Sequence, residues 1–120
     1  MNTLFWTLQI ILGIFFILHG AALAAWAAPL RETLNELSYP KPFLQFIGVC
    51  ELLGGLGLIL PWWTGIAPFL TPLAAAGLAI IIFGAVITHA QAGETPQIIM
   101  NSTVTALLLI VTVVRWGGFT

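Results

Sequence analysis

The stretch FLQFIGVCELLGGLGLIL, from Phe43 to Leu60, decides the fold, because it is apolar over nearly the length that a membrane-spanning helix needs. Glu51 lies near its middle, and glycines flank it at positions 48, 54, 55 and 57. A carboxylate in the hydrocarbon core of a bilayer is costly unless it is protonated, paired or hydrated. The chain has only three basic and four acidic residues among 120, so Glu51 is the first candidate for a functional residue.

The composition excludes several classes of protein. The chain is 60% hydrophobic and 6% charged, whereas soluble domains carry about 25% charged residues. The net charge of −1 provides no basic surface for nucleic acid. The single cysteine, Cys50, cannot form an intrachain disulfide, and the chain contains no P-loop, dinucleotide-binding glycine motif or serine elbow. The sequence therefore predicts an integral membrane protein and leaves open whether it is an enzyme.

Four apolar segments predict an all-α fold, a four-helix transmembrane bundle that forms a single domain over residues 1–120. Backbone groups in lipid must be satisfied internally, so each span is a helix; the predicted spans cover residues 4–27, 43–60, 66–90 and 98–116. Four tryptophans fall at one predicted boundary, side A, and Trp26 and Tyr39 fall at the other, side B, as interfacial aromatic belts require. The predicted location is the cell membrane, with both termini on side A and the orientation undecided.

The connection between the first two spans predicts a short amphipathic helix over residues 29–37. Leu30, Leu34 and Leu37 recur there at helical spacing, and Pro29 suits the first position of a helix. Such a helix would lie in the membrane interface and cover the bundle at side B. A solvated loop with some helical turn is the alternative.

Polar side chains from all four spans fall in the half of the bundle toward side B. If they face inward, they would surround a polar cavity that opens toward side B. The predicted ligand-binding residues are Glu51, His19, His89, Asn101 and Thr105. We expect Glu51 to be neutral or paired, with His19 and polar groups of the fourth span as its partners. Phe16, Trp26 and Phe83 are expected to line the same cavity.

Each of these residues also has a purely structural interpretation. Glu51 could serve helix packing alone. His19 could be a bundle histidine with its hydrogen bonds satisfied, and His89 could be a polar residue at a helix end. Asn101 and Thr105 could form hydrogen bonds between helices. Close helix packing is the expected role of Gly48, Gly54 and Gly55. We predict no metal site, because helical rise separates His19 and His89 by roughly 10 Å in depth. Arg115 is expected to extend toward water at side A.

The stretch FIGVCELLGGLGLILP, from Phe46 to Pro61, resembles the DoxX-like family of small four-helix membrane proteins in its Ile-Gly, Glu-Leu, paired glycines and closing Leu-Pro. Pro42 and His89 also match the family pattern, in which Glu51 and His89 are the positions carried over. The resemblance implies a four-helix bundle. Some relatives are associated with quinone-linked sulfur oxidation, and others resemble endoplasmic reticulum cargo receptors or an acetylcholine receptor chaperone. Relatives with redox cysteines imply an activity that this chain lacks the residues to support.

Three functions remain in competition at this point. The first is an accessory, ligand-binding or chaperone-like protein whose polar pocket holds a hydrophobic small molecule or a partner's transmembrane helix. The second is a quinone-interacting subunit of a membrane oxidoreductase complex, for which a quinone is the one cofactor considered. The third is a small proton-coupled transporter, although the chain lacks the internal repeats that favour one.

Self-association is also expected, with a homodimer as its simplest form. Small residues at positions 21, 22 and 25 and at positions 75, 76 and 79 form stripes that permit close helix contact. The alternative is that both stripes pack within one copy of the chain.

Overall fold

Four long helices make up the computed structural model, which describes residues 2–26 and 39–117. All four are long and apolar enough to cross a membrane, and no strand occurs within these residues. They are α1 (Asn2–Ala24), α2 (Lys41–Thr64), α3 (Leu70–Ala92) and α4 (Thr95–Trp116). The predicted all-α class and four-helix bundle are confirmed. The amphipathic helix predicted over residues 29–37 lies outside the described residues.

Consecutive helices run antiparallel and pack side by side. Gly20 of α1 lies against Gly48 of α2, and Gly57 of α2 lies against Ala74 of α3. The start of α1 and the end of α4 meet through Asn2 and Arg115. The bundle therefore has an A end, which holds the start of α1, the end of α2 and the end of α4, and an opposite B end.

The buried core draws on all four helices but does not run the whole length of the bundle. Its central cluster comprises Leu12, Phe16, Leu58, Ala75, Leu78, Ala79, Ile82, Leu108 and Val111. A second cluster lies toward the B end. Its buried residues are Leu23 of α1, Trp26 just after α1, and Leu44 of α2. The four helices thus share one core toward the A end, whereas α1 and α2 form a separate pair toward the B end.

Helix α2 continues through Pro61 to Thr64, beyond the end predicted at Leu60. Proline has no N–H, so Pro61 cannot donate to the carbonyl of Gly57 one turn earlier. The buried hydroxyl of Thr71, in the first turn of α3, donates to that carbonyl at 2.8 Å. A side chain of the neighbouring helix therefore replaces the missing backbone donor, and the helix ends instead at Gly65, whose φ of 74° is left-handed.

Candidate functional site

Glycines bring the backbones of α1 and α2 into direct contact on both sides of Glu51. A Cβ on Gly20 would stand 2.6 Å from the carbonyl oxygen of Gly48, and a Cβ on Gly55 would stand 2.7 Å from that of Gly13. These are distances that real Cβ atoms do not adopt, so the two helices approach as closely as their backbones allow. Glu51 lies between Gly48 and Gly55 on the same face of α2, and the close contact therefore sets where its carboxylate points.

Glu51 pairs with His19 across this interface. Nδ1 of His19 lies 3.2 Å from Oε2 of Glu51. The Glu51 side chain is only 2% exposed, whereas that of His19 is 39% exposed. The imidazole also stacks on Phe15, with the ring centroids 5.6 Å apart. The expected partner His19 is thus in place, and it connects a buried carboxylate to the surface of the bundle.

One polar atom of this pair remains available for further contacts. Nε2 of His19 has no hydrogen-bond partner among the described residues, and the imidazole is 39% exposed. A ring nitrogen can accept or donate a hydrogen bond, depending on its protonation. The pair is therefore a small polar site at the edge of an apolar helix pair.

The other predicted ligand-binding residues lie in different surroundings. Nδ1 of His89 is 2.9 Å from Oε1 of Glu94, at the turn between α3 and α4. Asn101 donates to the carbonyl of Gln97, and the hydroxyl of Thr105 donates to the carbonyl of Asn101. These hydrogen bonds lie within α4 or beside its start. The structure therefore brings together His19 and Glu51, whereas His89, Asn101 and Thr105 form no hydrogen bond with either of them.

Phe83 also lies away from the pair. It is 55% exposed and borders a shallow groove between α3 and α4 that Thr105 also lines. Phe16, by contrast, is completely buried in the central core. Among the described residues no three histidine, cysteine or acidic side chains gather as metal ligands would.

A comparison with protein families adds an independent finding. A family model described as the DoxX-like family matches residues 7–111, which span most of α1 through most of α4. The chain belongs to the DoxX-like family. The resemblance drawn from Phe46 to Pro61 is thereby confirmed, and the matched range includes both members of the His19–Glu51 pair. No curated protein and no solved structure matches the chain.

Arg115 of this DoxX-like protein departs from the sequence-based expectation. It is 3% exposed, so the prediction that it extends toward water is wrong. Its guanidinium is held among α1, α2 and α4 by polar and aromatic side chains. Sequence reasoning missed the main partner, Gln9, although a glutamine two turns into an apolar first span was a visible signal.

The small-residue stripes divide between two surroundings. Ala75 and Ala79 of α3 are buried in the central core, so that stripe packs within one copy of the chain. In the first stripe, by contrast, Ala21 of α1 and Ala25, just after its end, are exposed. The first stripe therefore offers more surface for contact between copies than the second.

Proposed function

We propose that this DoxX-like protein is a membrane accessory protein that binds a hydrophobic ligand through the His19–Glu51 pair. The observation that carries the proposal is the combination of a half-exposed histidine with a buried carboxylate. A buried acidic side chain in a membrane helix is expensive, and such residues commonly mark ligand or proton sites. The expected ligand enters from the bilayer, has an apolar body, and carries a carbonyl or hydroxyl group that meets Nε2 of His19.

The pair can serve either kind of polar group, depending on the number of protons it holds. With one proton between them, Nδ1–H donates to the Glu51 carboxylate and Nε2 accepts a hydrogen bond from a hydroxyl. With a second proton the imidazole is cationic, and Nε2–H donates to a carbonyl. The same nitrogen can therefore meet either polar group, depending on the number of protons the pair holds.

This dual behaviour favours a quinone as the specific ligand class, because a quinone and its quinol present a carbonyl and a hydroxyl at the same position. Reducing the quinone requires two electrons and two protons. The pair could hold the protons, at Nε2 of His19 and on the Glu51 carboxylate, and exchange them through the contact between Nδ1 and Oε2. A partner protein would supply the electrons, and this reading makes the protein a quinone-binding subunit rather than a complete oxidoreductase.

A partner's transmembrane helix is the other occupant that this proposal admits. A polar residue on such a helix would meet the same nitrogen, and the exposed alanines of α1 would permit close approach. That occupant would make the protein chaperone-like.

The test uses three probes that share a decyl tail and differ in the head group: a benzoquinone, its hydroquinone and plain benzene. Imidazole nitrogen resonances of the protein in detergent report binding at His19, and His89→Gln removes the second histidine signal. We expect the first two probes to shift the His19 resonance and decylbenzene to leave it unchanged. Equal shifts with all three probes, or none with any, would refute the proposal.

A further inference from the structure

The A end of the bundle contains a second polar cluster, centred on Arg115 and separate from the His19–Glu51 pair. Nε of Arg115 donates to Oε1 of Gln9 in a short hydrogen bond, and Nη1 donates to Oδ1 of Asn2 at 3.0 Å. Gln9 in turn donates through Nε2 to the carbonyl of Leu58 at 2.8 Å. The cluster therefore ties α4 to α1 and α1 to α2.

Three aromatic rings surround the guanidinium of Arg115. Its central carbon lies 4.6 Å from the Trp62 ring, 5.9 Å from the Trp6 ring and 6.0 Å from the Phe5 ring. Aromatic faces attract a cation, particularly where water is excluded. They carry no net charge, however, and cannot neutralise the guanidinium.

The charge of Arg115 has no protein counter-charge in the described residues. Its third nitrogen, Nη2, is buried without a hydrogen-bond partner. The acidic side chains belong to other parts of the chain: Glu94 precedes α4 at the B end, and Glu32 and Glu36 belong to the connection that joins the B ends of α1 and α2. Glu51 is engaged by His19 and lies two turns of α2, about 10 Å, from Leu58, where Gln9 attaches.

We propose that Arg115, Gln9 and Asn2 form an anion site at the A end, which binds an oxyanion of the phosphate type. A guanidinium presents paired N–H groups that match phosphate oxygens, and a buried cation gains most from such a partner. Trp6 and Trp62 are each only half-buried, so the rings beside the guanidinium reach the surface of the bundle. Tryptophans lie at the depth of lipid head groups, where phosphate is abundant.

Two sources can supply this group, a phospholipid head group and free phosphate, and thermal unfolding of the full chain in a maltoside detergent separates them. The added probes are dioleoyl phosphatidylglycerol, inorganic phosphate, uncharged monoolein, and chloride at matched ionic strength. We expect phosphatidylglycerol to raise the unfolding temperature, and monoolein and chloride to have no effect. A rise with inorganic phosphate as well would identify the site as open to soluble anions.

The decisive variant is Gln9→Glu, which places a carboxylate beside Arg115 within the chain. Because this variant also loses the N–H that Gln9 donates to the Leu58 carbonyl, the readout is the lipid response and not the unfolding temperature without lipid. The midpoint concentration of phosphatidylglycerol should rise at least tenfold. Gln97→Glu adds the same charge at the start of α4, at the opposite end, and should respond like the wild type. If Gln9→Glu responds like the wild type, or if neither phosphate-bearing probe stabilises the unaltered protein, the anion site is refuted.

Discussion

The α1–α2 pair packs through glycines, whereas the α3–α4 pair does not. Between α1 and α2, glycines let the backbones touch, and this contact holds a buried carboxylate against its histidine. The two glycines of α3 are exposed and take no part in helix packing, since an added Cβ at Gly77 or Gly84 would meet nothing within 4 Å, and α4 contains no glycine. The groove between α3 and α4 is shallow and lined mostly by apolar side chains. The difference indicates that the glycine contact positions the polar site between α1 and α2, while α3 and α4 contribute mainly to the central core.

The largest expected effect is on the free energy of unfolding, when a glycine between α1 and α2 is compared with an exposed glycine of α3. A Cβ at Gly48 would stand 2.5 Å from the backbone nitrogen of Ala24, so Gly48→Ala forces α1 and α2 apart. We expect a loss of about 3 kcal/mol in the free energy of unfolding, the upper range for overpacking. Gly84→Ala should instead stabilise by up to about 1 kcal/mol through helix propensity. Unfolding in mixed detergent micelles measures both, and equal effects would contradict the proposed difference between the interfaces.

The next effect concerns the pair itself. Glu51→Gln keeps the shape and a hydrogen-bonding group, so it should preserve folding, while Glu51→Leu removes the partner of His19. We expect Glu51→Leu to weaken decylbenzoquinone binding about tenfold or more, as loss of a charged hydrogen bond predicts. The histidine resonance titration gives the affinities. Wild-type affinity in Glu51→Leu would show that the carboxylate serves packing alone.

A smaller effect tests the contact at Pro61. Thr71→Val has nearly the same shape but no hydroxyl, so the Gly57 carbonyl loses its donor. We expect a loss of about 1–2 kcal/mol in the free energy of unfolding, typical of a buried group left without a partner. A neutral substitution would mean that the carbonyl finds another donor.

The smallest expected effect is Thr105→Val. The Thr105 hydroxyl donates to the carbonyl of Asn101 within its own helix, so its removal leaves the helix joined by its backbone bonds. We expect a change below about 0.5 kcal/mol and unchanged affinity for decylbenzoquinone. A tenfold loss of affinity would place α4 in the ligand site after all.

The fold could be predicted from the sequence because bilayer thickness fixes helix length and each apolar run reports one helix. The His19–Glu51 contact was also within reach, since both residues fall at similar depth on helices that follow each other in the chain. The surroundings of Asn101 and Thr105 could not be predicted, because sequence periodicity shows which residues share a helix face but not which neighbouring helix that face contacts. Here their side-chain hydrogen bonds stay within α4.

Arg115 shows the same limit at the other end. An arginine near the end of a span usually reaches water, and only the three-dimensional contact with Gln9 reverses that expectation. Helix α2 also extends past the span predicted to end at Leu60, through a contact that the sequence does not reveal. Pro61 removes one backbone hydrogen bond, and the Thr71 hydroxyl of the neighbouring helix replaces it.

The Gly57 carbonyl also bears on the order in which the protein is made. During synthesis α2 leaves the ribosome before α3, so its proline turn can reach the membrane before the hydroxyl that satisfies it. An unsatisfied carbonyl is costly in lipid, which disfavours α2 settling there alone. Insertion of α2 and α3 together as a hairpin avoids that cost, and the six residues at positions 65–70 that separate Thr64 from Thr71 are a short enough link to permit it. The hydroxyl of a single threonine thus favours insertion of two neighbouring helices as a unit.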